Sequence, residues 1–466
     1  MNCFRMVCLV AALVLSWVAV SAEQLQAQEN AELMDLVVDL LNDDDKDMRA
    51  VGLEQVRTEL KGDAATRQLL ALVPKLKPTA QAALIVAFGD RGDISALPAL
   101  VELITDNSRD AAVQAAAVQA IGALGSEADL PMLVGLLSSS SPELKAAARG
   151  SLVHLRGRET LRAMSSAMAS AASPVRITLM EILVERRAVE AIPDLLTAAV
   201  GSDAAVRSAA MKALGQIGTP EQLPGMVAGV LKAEQGKERE AAEKAVMFVC
   251  QRIEKVDDRA VPLLAASEKL SPADQLSLLS TLGRVGGAGS LPFIEDKISS
   301  SNSKQHELGV RAICNWPDAG IANRLLELIK SETRPELSSM LLSALIRVAP
   351  LPDDRTPEAR LELLQTAMNL CKKDSERNLV LKRAPAIRSV ETLRYVLTFF
   401  DQPALAAQAH EAVVELAHHR SLREPNKAEF AAALDQVLAA SKDEILRDRA
   451  QRYKNGQTWD RKSVSD

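Results

Sequence analysis

The chain has 466 residues, of which 48% are hydrophobic but only 3% aromatic, and its formal net charge is -6. Ala, Leu and Val therefore carry the burial, which suits thin layers of packed helices and argues against a strand-rich fold, where aromatic residues are plentiful. The acidic balance disfavours a general nucleic-acid binder, whose phosphate contacts need a basic surface.

At the start, Arg5 precedes an apolar run over residues 6–20, and Val20-Ser21-Ala22 places small residues before Glu23. A run of about 15 apolar residues is short for a membrane span of roughly 20. Residues 1–22 therefore read as a secretory signal peptide, with a retained anchor as the alternative, and 23–29 as a short linker. The expected location is outside the cytoplasm, periplasmic or extracellular, with no membrane span after signal removal. Beyond the leader the chain keeps Cys250, Cys314 and Cys371, an odd number at wide spacing. That is no disulfide framework, and buried small apolar residues are the expectation.

From residue 30 onward one pattern recurs. Its best copy spans 203–226. There Val206, Ala210, Ala213, Leu214 and Ile217 follow helical spacing on one face. Asp203 stands where an N-cap belongs. Gly218 is expected in the left-handed conformation that ends helices, with Pro220 preventing continuation. A second helix then opens at Leu223-Pro224. With Asp203 as position zero, copies begin at Asp45, Lys77, Asp110, Ser141, Ala172, Gln235, Ser271, Asn302 and Arg334. A later copy starts at Gln402, and a degenerate one lies between. Position +3 is apolar except for Glu238, Asp274 and Gln305. Extra residues fall at 252–259 and 351–356. The periodic region runs over 30–420, two capping helices over 421–454, and a disordered tail is expected over 455–466. A unit of this size cannot bury its own apolar stripe and needs a like neighbour on each side.

The motif Asp-x-x-Val-Arg-x-x-Ala-x-x-Ala-Leu-Gly-x-Ile-Gly, nearly complete at 203–218 and recognisable at 110–125, resembles HEAT repeats of the short bacterial type found in phycobilin lyases. The resemblance implies an all-α, right-handed α-solenoid of about a dozen stacked antiparallel helix pairs, HEAT/armadillo-like. In such repeats the polar residue at +4 forms a ladder between layers. Here Arg49, Arg176, Arg207 and Arg239 occupy that column, followed by Gln275, His306 and Ser338 in the second half. They are expected to be structural rather than a basic binding strip.

No spacing of His or Cys suits a metal, and no cofactor is expected. Ser301-Asn-Ser-Lys304 imitates an acyl-enzyme motif without its companions, and stands in what reads as an inter-helix loop. The inner-helix position +9 points away from the apolar stripe. That column collects cations at Lys212, Lys244 and Arg311, which become the candidate partner-binding residues on the concave face. The functional expectation is an exported scaffold or adaptor that recognises a protein partner and catalyses nothing. The alternatives are a lyase related to the phycobilin-attaching proteins, and an extracellular polysaccharide-binding module. The shortage of aromatic stacking platforms disfavours the second.

Overall fold

The computed structural model describes residues 33–60, 62–106 and 108–458. The signal peptide expected at 1–22, the linker at 23–29 and, of the tail expected at 455–466, residues 459–466 lie outside the described residues, while Asn455, Gly456 and Gln457 hydrogen-bond back onto the last helix in a turn. Among those described, helices alternate with short turns and no strand occurs.

The chain divides into two compact units. One ends at Gly218 and also takes in Lys232–Ala242; the other comprises Thr219–Leu231 and the chain from Glu243. Each is an α-solenoid. In the first, the inner helices Lys46–Thr58, Pro78–Arg91, Ala111–Leu124, Pro142–His154, Ser173–Glu185 and Ala204–Ile217 follow one another, each preceded by its outer partner. In the second, Ser303–Ile313, Pro335–Val348, Asp374–Arg383, Ala406–His418 and Glu444–Lys454 continue the same alternation. The degenerate stretch after Arg334 is thus a full pair, Pro357–Leu370 with Asp374–Arg383. Its divergence lies in the residues and not in the backbone.

Local chemistry fixes the element boundaries. The carboxylates of Asp45, Asp110 and Asp203 accept from first-turn amides of Asp47, Ala112 and Val206, satisfying donors that a helix leaves orphaned. Proline opens the outer helices Leu97–Thr105, Leu130–Leu136 and Ile192–Ala199, where its missing N–H is not needed. Along the apolar stripe of Ala204–Ile217, Val206, Ala210 and Leu214 are at or below 1% exposure and Ile217 at its end is half-buried. Burying a side chain such as Leu214 contributes roughly 2 kcal/mol.

Two expectations need correction. Gly218 is not left-handed: its φ of -68° and ψ of 155° are extended. Glycine is required because a Cβ there would stand 2.5 Å from the Leu214 carbonyl oxygen. The reason is close approach, not conformational freedom. Ser303 and Lys304 are not in a loop either. They form the first turn of Ser303–Ile313, whose N-cap Asn302 accepts from the Lys304 and Gln305 amides. Trp316 is buried and takes Arg347 on its carbonyl, so it fills the end of a shortened helix. No described helix is long and apolar enough to cross a membrane.

Candidate partner-binding surface

Inner helices of the first unit approach very closely. A Cβ on Gly122 would lie 2.6 Å from the Cα of Ser151 on the next inner helix, so only glycine permits the contact. The Ser151 hydroxyl donates to the Val118 carbonyl across the same junction at 2.7 Å. Backbones this close leave room only for small side chains between them. The exposed result is a shallow trough of about 570 Å³ across three consecutive inner helices. Ala82, Ala83 and Val86 line it from the first, Ala112, Ala115, Ala116 and Gln119 from the second, and Glu143, Ala146, Ala147 and Gly150 from the third. Val86, Gln119 and Gly150 are successive members of the +9 column. Glu143 is the one charged residue in the lining.

The cationic members of that column divide between the units. Lys212 is exposed on the first. Lys244 and Arg311 are exposed on the second, where Ser280 stands between them in the column. Arg311 is paired with Glu307, Nε to Oε1 at 2.9 Å. Ser280 donates to Glu243, a carboxylate only 4% exposed, which Arg284 also engages at 3.0 Å. The column is therefore not an unbroken basic strip in this unit. A buried acid lies beneath its centre.

The +4 column performs a repeated local task. Several of its side chains donate to carbonyls in the turn ahead of their own helix. Arg49 takes Asp43 and Asp44, Gln81 takes Leu76, Gln114 takes Ile104 and Asp106, and Gln275 takes Ser267 and Leu270. Arg239 bonds Ala233. Arg176 is half-buried and its Nε finds no partner. Arg207 goes further. It gives Nη1 to the carbonyls of Gly201 and Ser202, Nε and Nη2 to both oxygens of Glu238, and Nη2 to Glu234, satisfying all five donors at 3% exposure. Those bonds, the ones to Glu238 first, raise the Arg207 pKa. Burial alone would push the Glu238 carboxyl up, but the Arg207 bonds and the Glu234 amide outweigh it and hold it down. Glu238 had broken the apolar rule at +3. An acid at a buried apolar position, one repeat after an arginine, was the signal for this pair.

His306 fills the same place in the second unit, with Nδ1 2.5 Å from the Ile298 carbonyl and Nε2 2.8 Å from Glu332. Burial would raise the Glu332 carboxyl, but hydrogen bonds from Arg334 and His306 bring it down to about 2. Ser338 is too short to act as a rung. Burial pushes the Cys250 and Cys314 thiols up to about 12 and that of Cys371 up to about 11, so none is a nucleophile at neutral pH.

Comparison with known proteins agrees with this architecture. Residues 66–153 and 161–247 match the family model for HEAT repeats. No curated protein matches the chain. Among solved structures it is similar to the karyopherin Kap121p bound to the SUMO protease Ulp1p, at 12% identity and TM-score 0.51, covering 91% of this chain and 53% of that one. It is similar also to Kap121p bound to Nup53p, at 13% identity and TM-score 0.51, with coverage of 91% and 53%. The chain spans about half the length of these structures. At such identity the likeness is one of fold.

Proposed function

We propose that this chain of HEAT repeats is an exported scaffold that holds a partner protein on the concave side of its inner helices, without bond chemistry. The observation that carries the reading is the alanine-lined trough. Three successive helices spend their exposed +9 positions on Val86, Gln119 and Gly150, where a merely solvated face would carry charge. A trough of this shape accepts bulky aliphatic side chains from an apolar segment, which supply the anchors that the chain itself lacks. Lys212, on the same unit, is the cation that would orient an acidic flank of such a segment; Lys244 and Arg311 are the candidate partner-binding cations of the second unit, considered by itself. Export rests on the composition of residues 1–22. The Kap121p structures support the reading in kind, since their partners are proteins.

The test is site-specific photo-crosslinking in cells. A photoreactive residue at Ala146 should give one dominant protein adduct, abolished by Ala115→Glu. The same residue at Arg162, exposed on the outer helix Thr160–Ser170, should give none. Equal labelling from both positions would refute a concave site. Colour on co-expression with a bilin and its acceptor would instead support a lyase.

A further inference from the structure

At two junctions a side chain of the +4 column reaches a carboxylate in the layer ahead, Arg207 with Glu238 and His306 with Glu332. At a third, between Pro335–Val348 and Asp374–Arg383, the carboxylate is Glu376 and the +4 residue is Ser338. Glu376 is built into its layer as Glu238 is. Each carboxylate reaches back four residues and accepts a backbone amide on Oε2, Glu238 from Glu234 at 3.1 Å and Glu376 from Lys372 at 2.9 Å. The Lys373 amide adds a further bond to Glu376 at 3.2 Å. The difference lies at Oε1. That of Glu238 receives Nε of Arg207 at 2.8 Å, whereas that of Glu376 receives the Ser339 hydroxyl at 2.9 Å. Burial would raise the Glu376 carboxyl, but the amide and hydroxyl bonds outweigh it and hold it down, so it is charged at neutral pH.

A serine at +4 leaves space that an arginine fills elsewhere. The result is a pocket of about 370 Å³, of a size that holds a long side chain. Ser338, Ser339 and Glu376 bring polar atoms to it, and Leu342 and Leu370 give it an apolar wall. The Ser338 hydroxyl has no partner among the described residues. Glu336, exposed at +2, adds a second carboxylate. Lys372 and Lys373 also line the pocket, but both are exposed, and neither ammonium group pairs with a carboxylate among the described residues. The acceptors and the apolar wall match the two parts of an arginine, a forked donor on a methylene stem.

We propose that this pocket receives an arginine side chain of a protein partner, whose guanidinium bonds Glu376 and so supplies from outside the rung that Arg207 supplies within the chain. The stem of that arginine lies along Leu342 and Leu370. A charge-assisted bond to a half-buried carboxylate is stronger than a neutral one, which gives the pocket its preference for a cation. The site lies wholly on the second unit. It rests on the scaffold reading only in that the arginine is carried by a protein.

Calorimetric titration of the full chain with acetyl-Gly-Arg-Gly-amide tests this, against the same peptide with citrulline or glutamate in place of arginine. Citrulline keeps the shape of the side chain and removes its charge. The arginine peptide should bind about tenfold more tightly than either, or better. Ser338→Arg gives the layer its own rung and should abolish that binding. Glu376→Gln, whose side-chain carbonyl can still take the Lys372 amide, should weaken it by about tenfold or more. Lys372→Ala combined with Lys373→Ala removes two exposed cations from the rim and should tighten it. Unchanged far-UV circular dichroism checks the fold of each variant. No binding of the arginine peptide, equal binding of the citrulline peptide, a preference for glutamate, or arginine binding that survives Ser338→Arg would each overturn the proposal. Crosslinking from Ala146 reads the first unit alone, so the trough and this pocket stand or fall separately.

Discussion

Arg207 offers a sharp test of how the first unit is held together. Its side chain is 4% exposed and that of Glu238 is 13% exposed. Arg207→Leu keeps an apolar stem but removes five hydrogen bonds at once. It leaves the Glu238 carboxylate with the Glu234 amide at 3.1 Å as its remaining polar contact, and strips two carbonyls of their donor. Breaking one partner of a buried pair costs about 3–5 kcal/mol, because the survivor's charge stays out of water. In a unit of this size that lowers Tm by roughly 10 °C. The companion change is Glu238→Val, which installs the residue that the layers beginning at Asp110, Ala172 and Asp203 carry at +3. The double variant has no stranded charge and should recover most of the loss, a coupling of about 2–3 kcal/mol. Thermal and urea unfolding followed by far-UV circular dichroism read all three variants. A cost for Arg207→Leu below about 1 kcal/mol, or a double variant whose loss equals the sum of the singles, would refute the buried-pair reasoning.

In the second unit, the Glu332 carboxyl is held at about 2 against an ordinary value of 4.5. A depressed acid stabilises the fold above its ordinary value and loses that contribution as pH falls. The wild type should therefore exceed Glu332→Gln by up to ~3 kcal/mol near neutrality, with the gap closing between about pH 4.5 and 2. Fluorescence of Trp316, in the same unit, with Trp17 and Trp459 replaced, reports the transition; a gap independent of pH would exclude this account. Gly218→Ala should destabilise through its contact with the Leu214 carbonyl. Gly150→Ala, in a helix with open space around the new methyl, should stabilise by up to about 1 kcal/mol. Equal effects of the two would show that neither position is read correctly. In the chain from Glu23 onward, Cys250, Cys314 and Cys371 should resist a thiol reagent at pH 8 until denaturant is added, and labelling at the rate of a free thiol would contradict their burial.

Much of this architecture is written in local chemistry. Helix starts at Asp45, Asp110 and Asp203 follow from N-capping, outer-helix starts from Leu-Pro, and the period from the apolar stripe, all short-range effects visible to anyone counting along the chain. The +9 column was legible as an exposed line for the same reason. Which stretch of it lines a trough was not. Charge points to Lys212, Lys244 and Arg311, whereas the trough lies where the column is small and neutral. Alanines at 112, 115 and 146 look like helix filler until three backbones, drawn together at Gly122 and Ser151, set them side by side.

The sequence by itself therefore determined the repeating helix pair, its caps and its ladder column, because each depends on residues a few positions apart. The tertiary structure decided what those residues do for one another across a repeat. It turned Glu238 from an exception into the partner of Arg207 and assigned Gly218 to a close carbonyl contact rather than a left-handed turn. Those outcomes depend on distances between layers some 30 residues apart, and local patterning carries no measure of them.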